Sequence, residues 1–202
     1  LILARAPGRL GEYLGTTATR MGPDDAIYAG FADTFIPKDA WPDLINELEK
    51  TGATDAIDRH AVPAPEGILR DRQPEIDPVF GGADLRAILN AMQATPSAFH
   101  DETRARMARN SPLAMACAIE MIHRLRRGRA TLRDALELEY RFTYRAMERG
   151  DFLEGVRAAV IDKDRAPNWQ HSLEAPLAEA VTPMLMPLGQ DQLRFEMQED
   201  IT

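Results

Sequence analysis

The chain has 202 residues, 45% of them hydrophobic and 28% charged, with a formal net charge of −8. That length buries a real core, and the acidic balance excludes general affinity for nucleic acid, which needs a basic footprint to neutralise phosphates. No stretch approaches the roughly 20 apolar residues that span a bilayer, so no membrane partner is expected.

Taken in order, most of the chain reads as helix. Leu10, Tyr13, Leu14 and Thr17 recur at helical spacing over 9–20. Pro23 suits the first turn of a short helix through Tyr28, with Gly30 as its stop. The run near 32–36, bounded by Gly30 and Pro37, is the best strand candidate, and a lone strand needs partners that this sequence does not offer. Trp41, Leu44, Ile45 and Leu48 mark a helix closed by Gly52, with a short helical segment at 53–60. Residues 61–82 hold Pro63, Pro65, Pro74 and Pro78 with Gly67, Gly81 and Gly82, which reads as a Pro/Gly-rich loop unable to sustain a helix.

Regularity returns after 83. Asp84 caps a helix bearing Leu85, Ile88, Leu89 and Met92, and a weaker one follows Ser97. Ser111 with Pro112 starts a helix to Gly128, and Thr131 with Asp134 resembles a capping box opening a helix to about Arg149. Asp151 with Glu154 repeats that arrangement and opens a last clear helix ending before Pro167. The expected organisation is thus a helical and edge-strand segment at 1–60, the loop at 61–82 and a helical region at 83–202, with the tail after about Phe195 unplaced.

Single residues give bland readings. Cys117 lies in an apolar run and reads as a small buried hydrophobe, and one cysteine fits a reducing compartment. His60, His100, His123 and His171 lack metal-ligand spacing, so no metal is expected. There is no Gly-rich phosphate loop and no nucleophile elbow. Arg124, Arg126, Arg127 and Arg129 sit at a helix end, where cations complement the macrodipole; contact with a partner subunit or with ligand phosphates is the alternative.

The stretch from Glu139-Tyr140-Arg141 through Gly150-Asp151-Phe152-Leu153-Glu154-Gly155-Val156-Arg157 and Ile161-Asp162-Lys163-Asp164 to Pro167-Asn168-Trp169 is more specific than its parts. It resembles the ending of the 3-hydroxyisobutyryl-CoA hydrolase branch of the crotonase superfamily; related hydratases typically carry Glu-Lys-Arg where this chain has Asp162-Lys163-Asp164. Gly8-Arg9-Leu10-Gly11-Glu12-Tyr13-Leu14, Ala26 to Ala32, Phe35-Ile36-Pro37 and Asn110-Ser111-Pro112 are similar to the same family. Leu113-Ala114 and Phe31 depart from its usual residues. The separation of Pro37 and Phe152, about 115 residues, is similar to the long insertion of the hydrolase branch.

The resemblance implies the mainly α, C-terminal helical part of a crotonase-like α/β fold with one short edge strand. It implies hydrolysis of 3-hydroxyisobutyryl-CoA in valine degradation, with coenzyme A as part of the substrate and no separate cofactor. The family's oxyanion amides and attacking carboxylate precede the segment matching Leu1. No catalytic residue is therefore expected in this chain, which would need an N-terminal crotonase core as partner and, like many relatives, form a homo-oligomer. The expected location is cytoplasmic, or the mitochondrial matrix in a eukaryote. Lys163 is the candidate for a coenzyme A phosphate contact, against a surface lysine at a helix end. Phe152 is a candidate contact whose first reading is core. Hydratase or isomerase activity, or a non-catalytic helical interaction module, are the alternatives.

Overall fold

In the computed structural model, which describes residues 1–195, the chain is built from helices joined by turns and by longer irregular segments such as 162–177. Helices α1 (Ile2–Arg5), α2 (Leu10–Thr17) and α3 (Pro23–Tyr28) open it. A short 3₁₀ turn (Lys38–Ala40) leads into α4 (Trp41–Thr51) and α5 (Ala56–His60). Helices α6 (Leu69–Phe80), α7 (Leu85–Ala94), α8 (Ala98–Met107), α9 (Pro112–Arg126) and α10 (Leu132–Arg149) form the body. Helix α11 (Phe152–Val156) runs on as a π turn through Ile161, and α12 (Ala178–Leu185) closes over the body.

The capping residues act as their chemistry demands. Asp84, Ser97 and Ser111 each accept a backbone N–H from three residues on. Thr131 and Asp134 exchange bonds as a capping box, with Thr131 N–H at 2.7 Å from Asp134 Oδ2. Each such cap contributes about 1 kcal/mol, so the starts of α7 to α10 are locally determined.

One apolar core runs through these helices, from Leu10 in α2 by way of Phe80, Ile88, Met107 and Ile119 to Leu185 in α12. The Tyr13 ring meets Phe80 edge-on at 5.4 Å between centroids. Cys117 is fully buried among these side chains, and burial pushes its thiol up to about 12.

Two expectations fail. Residues 69–80 are helical despite Pro74 and Pro78 inside the span. The reason is tertiary. Leu69, Ile76, Val79 and Phe80 are buried on one face, which offsets the hydrogen bonds the prolines remove. The N-terminus of α6 is capped from far away: Asp25 Oδ1 accepts Ile68 N–H and Leu69 N–H, both at 2.8 Å. Gly67 is required there, because a Cβ would overlap the Asp25 carboxylate. The edge-strand candidate shrinks to a single antiparallel bridge between Phe35 and Val62, whose N–H donates to Phe35 O at 3.0 Å. Its partner thus lies within the chain, but the flanking prolines Pro37 and Pro63 stop the ladder from growing. The tail beyond Phe195 lies outside the described residues.

Beneath the helix ends sits a carboxylate wholly removed from water. Glu12, 0% exposed, receives Arg9 Nη1 at 3.1 Å and Arg126 Nη2 at 2.9 Å, while Arg126 Nη1 also donates to Gly8 O. His123 Nε2 stands 3.4 Å from Oε1 of the same carboxylate, within reach of its charge but without hydrogen-bond alignment. Of the arginine group at the end of α9, Arg126 therefore serves a structural anion, and Arg124 pairs with Glu120 at 2.7 Å on its own helix.

Candidate functional site

Two sequence motifs far apart in the chain meet at one junction. Ser111, the cap of α9, donates its hydroxyl to Asp151 Oδ2 at 2.5 Å, and Asp151 Oδ1 accepts Gln170 N–H at 3.0 Å. Gln170 Nε2 reaches back to Gly150 O at 3.0 Å. Asn110 Nδ2 ties the same turn to α2 through Thr16 O at 2.8 Å. Asp151 is buried. It does not cap its own helix: the expected Asp151–Glu154 capping box is absent because both carboxylates are taken by other partners.

Glu154 is held by Arg157. Arg157 donates from Nη2 to Glu154 Oε1 at 2.7 Å, and Glu154 Oε1 also accepts Asn168 N–H at 2.6 Å. Those donors hold the Glu154 carboxyl down to about 2, the guanidinium being the largest cause. Arg157 Nη1 reaches Asp162 and Asp164, both at 2.7 Å, and Arg157 Nη2 also donates to Ala166 O at 3.1 Å. One guanidinium thus gathers the whole turn that follows the π segment, and the same contact lowers the Asp164 carboxyl.

Above this junction lies an apolar groove of about 380 Å³, floored by Leu113, Ala114, Phe142 and Ala146 and walled by Phe152, Val156, Val160 and Trp169. Expected as core, Phe152 is instead 56% exposed, and Leu153, Val160 and Ile161 also face outward. Among the described residues nothing packs over this face, so an amphipathic helix that reads as buried in sequence stands at the surface. Lys163, the second candidate, is exposed and sits with φ +57°, three residues beyond the groove wall. Among the described residues it forms no ion pair. The structure therefore brings Phe152 into a groove and leaves Lys163 on the adjoining turn. Sequence reading missed Ser111, Asp151 and Arg157 as the junction's organisers, although all three lie within motifs quoted above; only their pairing was hidden.

Among the described residues no cluster of His, Cys, Asp or Glu could hold a metal ion, and no helix is long and apolar enough to cross a membrane. A further cavity of about 260 Å³ lies between α7, α9 and α12, and its charged residues include Asp84, Glu120 and Arg124, the first a helix cap and the other two paired with each other.

Comparison with known proteins gives a consistent picture. The family model described as enoyl-CoA hydratase/isomerase matches residues 1–185. The 3-hydroxyisobutyryl-CoA hydrolase of Gallus gallus is 27% identical over 206 residues, covering 96% of this chain and 53% of that protein. The 3-hydroxyisobutyryl-CoA hydrolase-like protein 1 of Arabidopsis thaliana is 32% identical over 184 residues, covering 83% of this chain and 45% of that protein. Among solved structures, an enoyl-CoA hydratase from Rhodobacter sphaeroides superposes with a TM-score of 0.85 at 50% identity, over 96% of this chain and 56% of that one. A carnitinyl-CoA dehydratase from Mycobacterium thermoresistibile superposes at 0.87 with 28% identity, over 98% of this chain and 56% of that one. The chain spans about half the length of the curated relatives it matches.

Proposed function

Because the chain belongs to the enoyl-CoA hydratase/isomerase family, we propose that it is the helical part of an acyl-CoA thioester hydrolase acting on 3-hydroxyisobutyryl-CoA in valine degradation. The observation that carries this reading is the groove over the Ser111–Asp151 junction, built from both family motifs and open to a ligand. Its apolar walls suit the acyl and pantetheine portions of such a substrate, with Phe152 as a contact and Lys163 on the phosphates. Coenzyme A enters as part of the substrate, and no separate cofactor takes part. The hydrolases among the relatives, similar over nearly the whole chain, support the thioester chemistry.

In this reading the attacking carboxylate and the oxyanion amides belong to an N-terminal crotonase core, which packs against this chain. Backbone amides aimed at the thioester oxygen stabilise charge as it develops, and a carboxylate activates the attacking water. The present residues bind and orient: the groove removes the acyl chain from water, and the junction fixes the helix that forms its wall. The assembly is a homo-oligomer in the cytoplasm, or in the mitochondrial matrix of a eukaryote.

Free-thiol release from 3-hydroxyisobutyryl-CoA tests this, run on residues 1–202 and on the same residues following a crotonase-type N-terminal half. The longer protein is expected to release thiol and the chain alone is not. Turnover by residues 1–202 would overturn the division of labour. Hydration of crotonyl-CoA without thiol release would favour the second reading, a hydratase, which the 50% identity to a protein described as an enoyl-CoA hydratase supports.

A further inference from the structure

Helices and their caps supply every wall of the apolar groove except one. Leu113, Ala114, Phe142 and Ala146 come from α9 and α10, and Val156 and Val160 from α11 and its π turn, whereas Trp169 comes from the irregular segment 162–177. Behind Trp169 lies a second cavity, of about 310 Å³, and the indole lines both spaces. Gly155 and Ala159 also line both but carry too little side chain to divide them. The indole is thus the partition between a groove of about 380 Å³ and a cavity of similar size. On the reading of that groove as an acyl site, we propose that Trp169 is its specificity-determining residue, setting the longest straight acyl chain it accepts.

A partition sets a limit only if it keeps its place. Here the chain is anchored on both sides of the indole. Asn168 N–H donates to Glu154 Oε1 at 2.6 Å, and Gln170 N–H donates to Asp151 Oδ1 at 3.0 Å. Those two carboxylates lie one turn apart at the start of α11, and each is fixed in turn, Glu154 by Arg157 and Asp151 by the Ser111 hydroxyl. Gln170 Nε2 adds a third tie, to Gly150 O. Pro167 restricts the backbone just before the anchored stretch. The ring itself lies over bare backbone. A Cβ at Gly155 would stand 3.6 Å from Trp169 Cη2 and 3.8 Å from Cζ3, ordinary contact distances, so an alanine there narrows the groove without displacing the indole. Phe152 and Val160, by contrast, are 56% and 62% exposed and flank the open side, where they offer contact but no stop.

An apolar chain gains about fourfold in affinity for each methylene it takes out of water. That gain ends where the chain meets a fixed wall, because further methylenes must fold back or remain in solvent. A compact branched acyl group stops short of such a wall. The partition therefore rejects long chains at no cost to a short one, which is discrimination by exclusion instead of by an added contact.

Straight-chain acyl-pantetheines, from butyryl to decanoyl, are titrated into residues 1–202 by calorimetry. For the unaltered chain, affinity is expected to rise about fourfold per methylene and then level off. Trp169→Ala should carry the rise on by two or more methylenes, roughly tenfold or more at the longest chains. Gly155→Ala should move the levelling point the other way, to a shorter chain, and alanine's preference for helix over glycine keeps that variant folded even if Trp169→Ala is not. Trp41 and Trp169 are the chain's two tryptophans, so in Trp41→Phe the emission reports Trp169 alone and should shift most for chains that reach the levelling point. An unchanged levelling point in folded Trp169→Ala or in Gly155→Ala would overturn the partition role. So would a uniform loss of affinity at every length in Trp169→Ala, which would make the indole an ordinary contact. No binding at any length would overturn the acyl reading of the groove, and the partition with it. The expected length dependence without thiol release, in the protein that includes an N-terminal half, would sink the hydrolase reading and leave Trp169 in its role.

Discussion

The helical body and the segment from Asp151 to Gln170 are held together by opposite means. In the body, Leu10, Phe80, Ile88, Met107 and Ile119 are almost wholly removed from water, and few polar groups intrude. In the segment, Phe152, Leu153, Val160 and Ile161 face solvent, while the buried Asp151 and the half-exposed pair Glu154 and Arg157 carry the hydrogen bonds. Apolar burial is cheap to make rigid and offers nothing to a ligand. A polar scaffold that keeps its apolar side chains outside does the reverse: it fixes shape while leaving sticky surface free. The difference sets the segment apart as a hydrogen-bonded scaffold with an exposed apolar face, carried by the body.

Substitutions that separate the two regions test this. The largest effect belongs to the body: Phe80→Ala should cost about 3–5 kcal/mol in urea unfolding, through lost transfer energy and the cavity beside Tyr13. Glu12→Ala comes next, at roughly 3 kcal/mol, since it leaves Arg126 and Arg9 facing an empty polar pocket. Both should unfold the chain cooperatively; a loss under half that size at Phe80 would mean that the body is loosely packed.

The segment should respond to acid instead. The Glu154 carboxyl has a folded value of about 2 against an ordinary value of 4.5. Its contribution is therefore complete above about pH 4.5 and lost as pH falls towards 2. Asp164 shifts in the same direction and adds to the effect. Trp169 emission in the Trp41→Phe variant should track this opening; a flat profile across that range would break the account of the clamp. The smallest effect on stability is expected at Phe152→Ala, within about 0.5 kcal/mol because the ring is already exposed. In the thiol-release assay of the longer protein the same change should raise KM several-fold, and an unaltered KM would remove Phe152 from the site.

Local chemistry was legible wherever it was enough. The caps at Asp84, Ser97, Ser111 and Thr131, the stop at Gly52 and the proline start of α3 each act within one turn of chain, so residue type and spacing settle them. Helix α6 was hidden because two prolines dominate any local reading, whereas the donors that start it are satisfied by Asp25, 43 residues away. The candidate site was half legible. Phe152 and Lys163 come from the motif, but the exposure of Phe152 does not, because period alone cannot tell a face that is buried from one that awaits a ligand.

By itself, then, the sequence determined the mainly helical character, the starts and stops of most helices, and, through its motifs, the family. Only the tertiary structure decided that Ser111 and Asp151 share a proton-mediated contact across 40 residues, that Arg157 gathers three carboxylates, and that Trp169 stands between two cavities. The physical reason is range. Caps and turns are decided by neighbours along the chain, whereas a carboxylate takes whichever donor folding brings within about 3 Å, and that choice is made by the packing of the whole body.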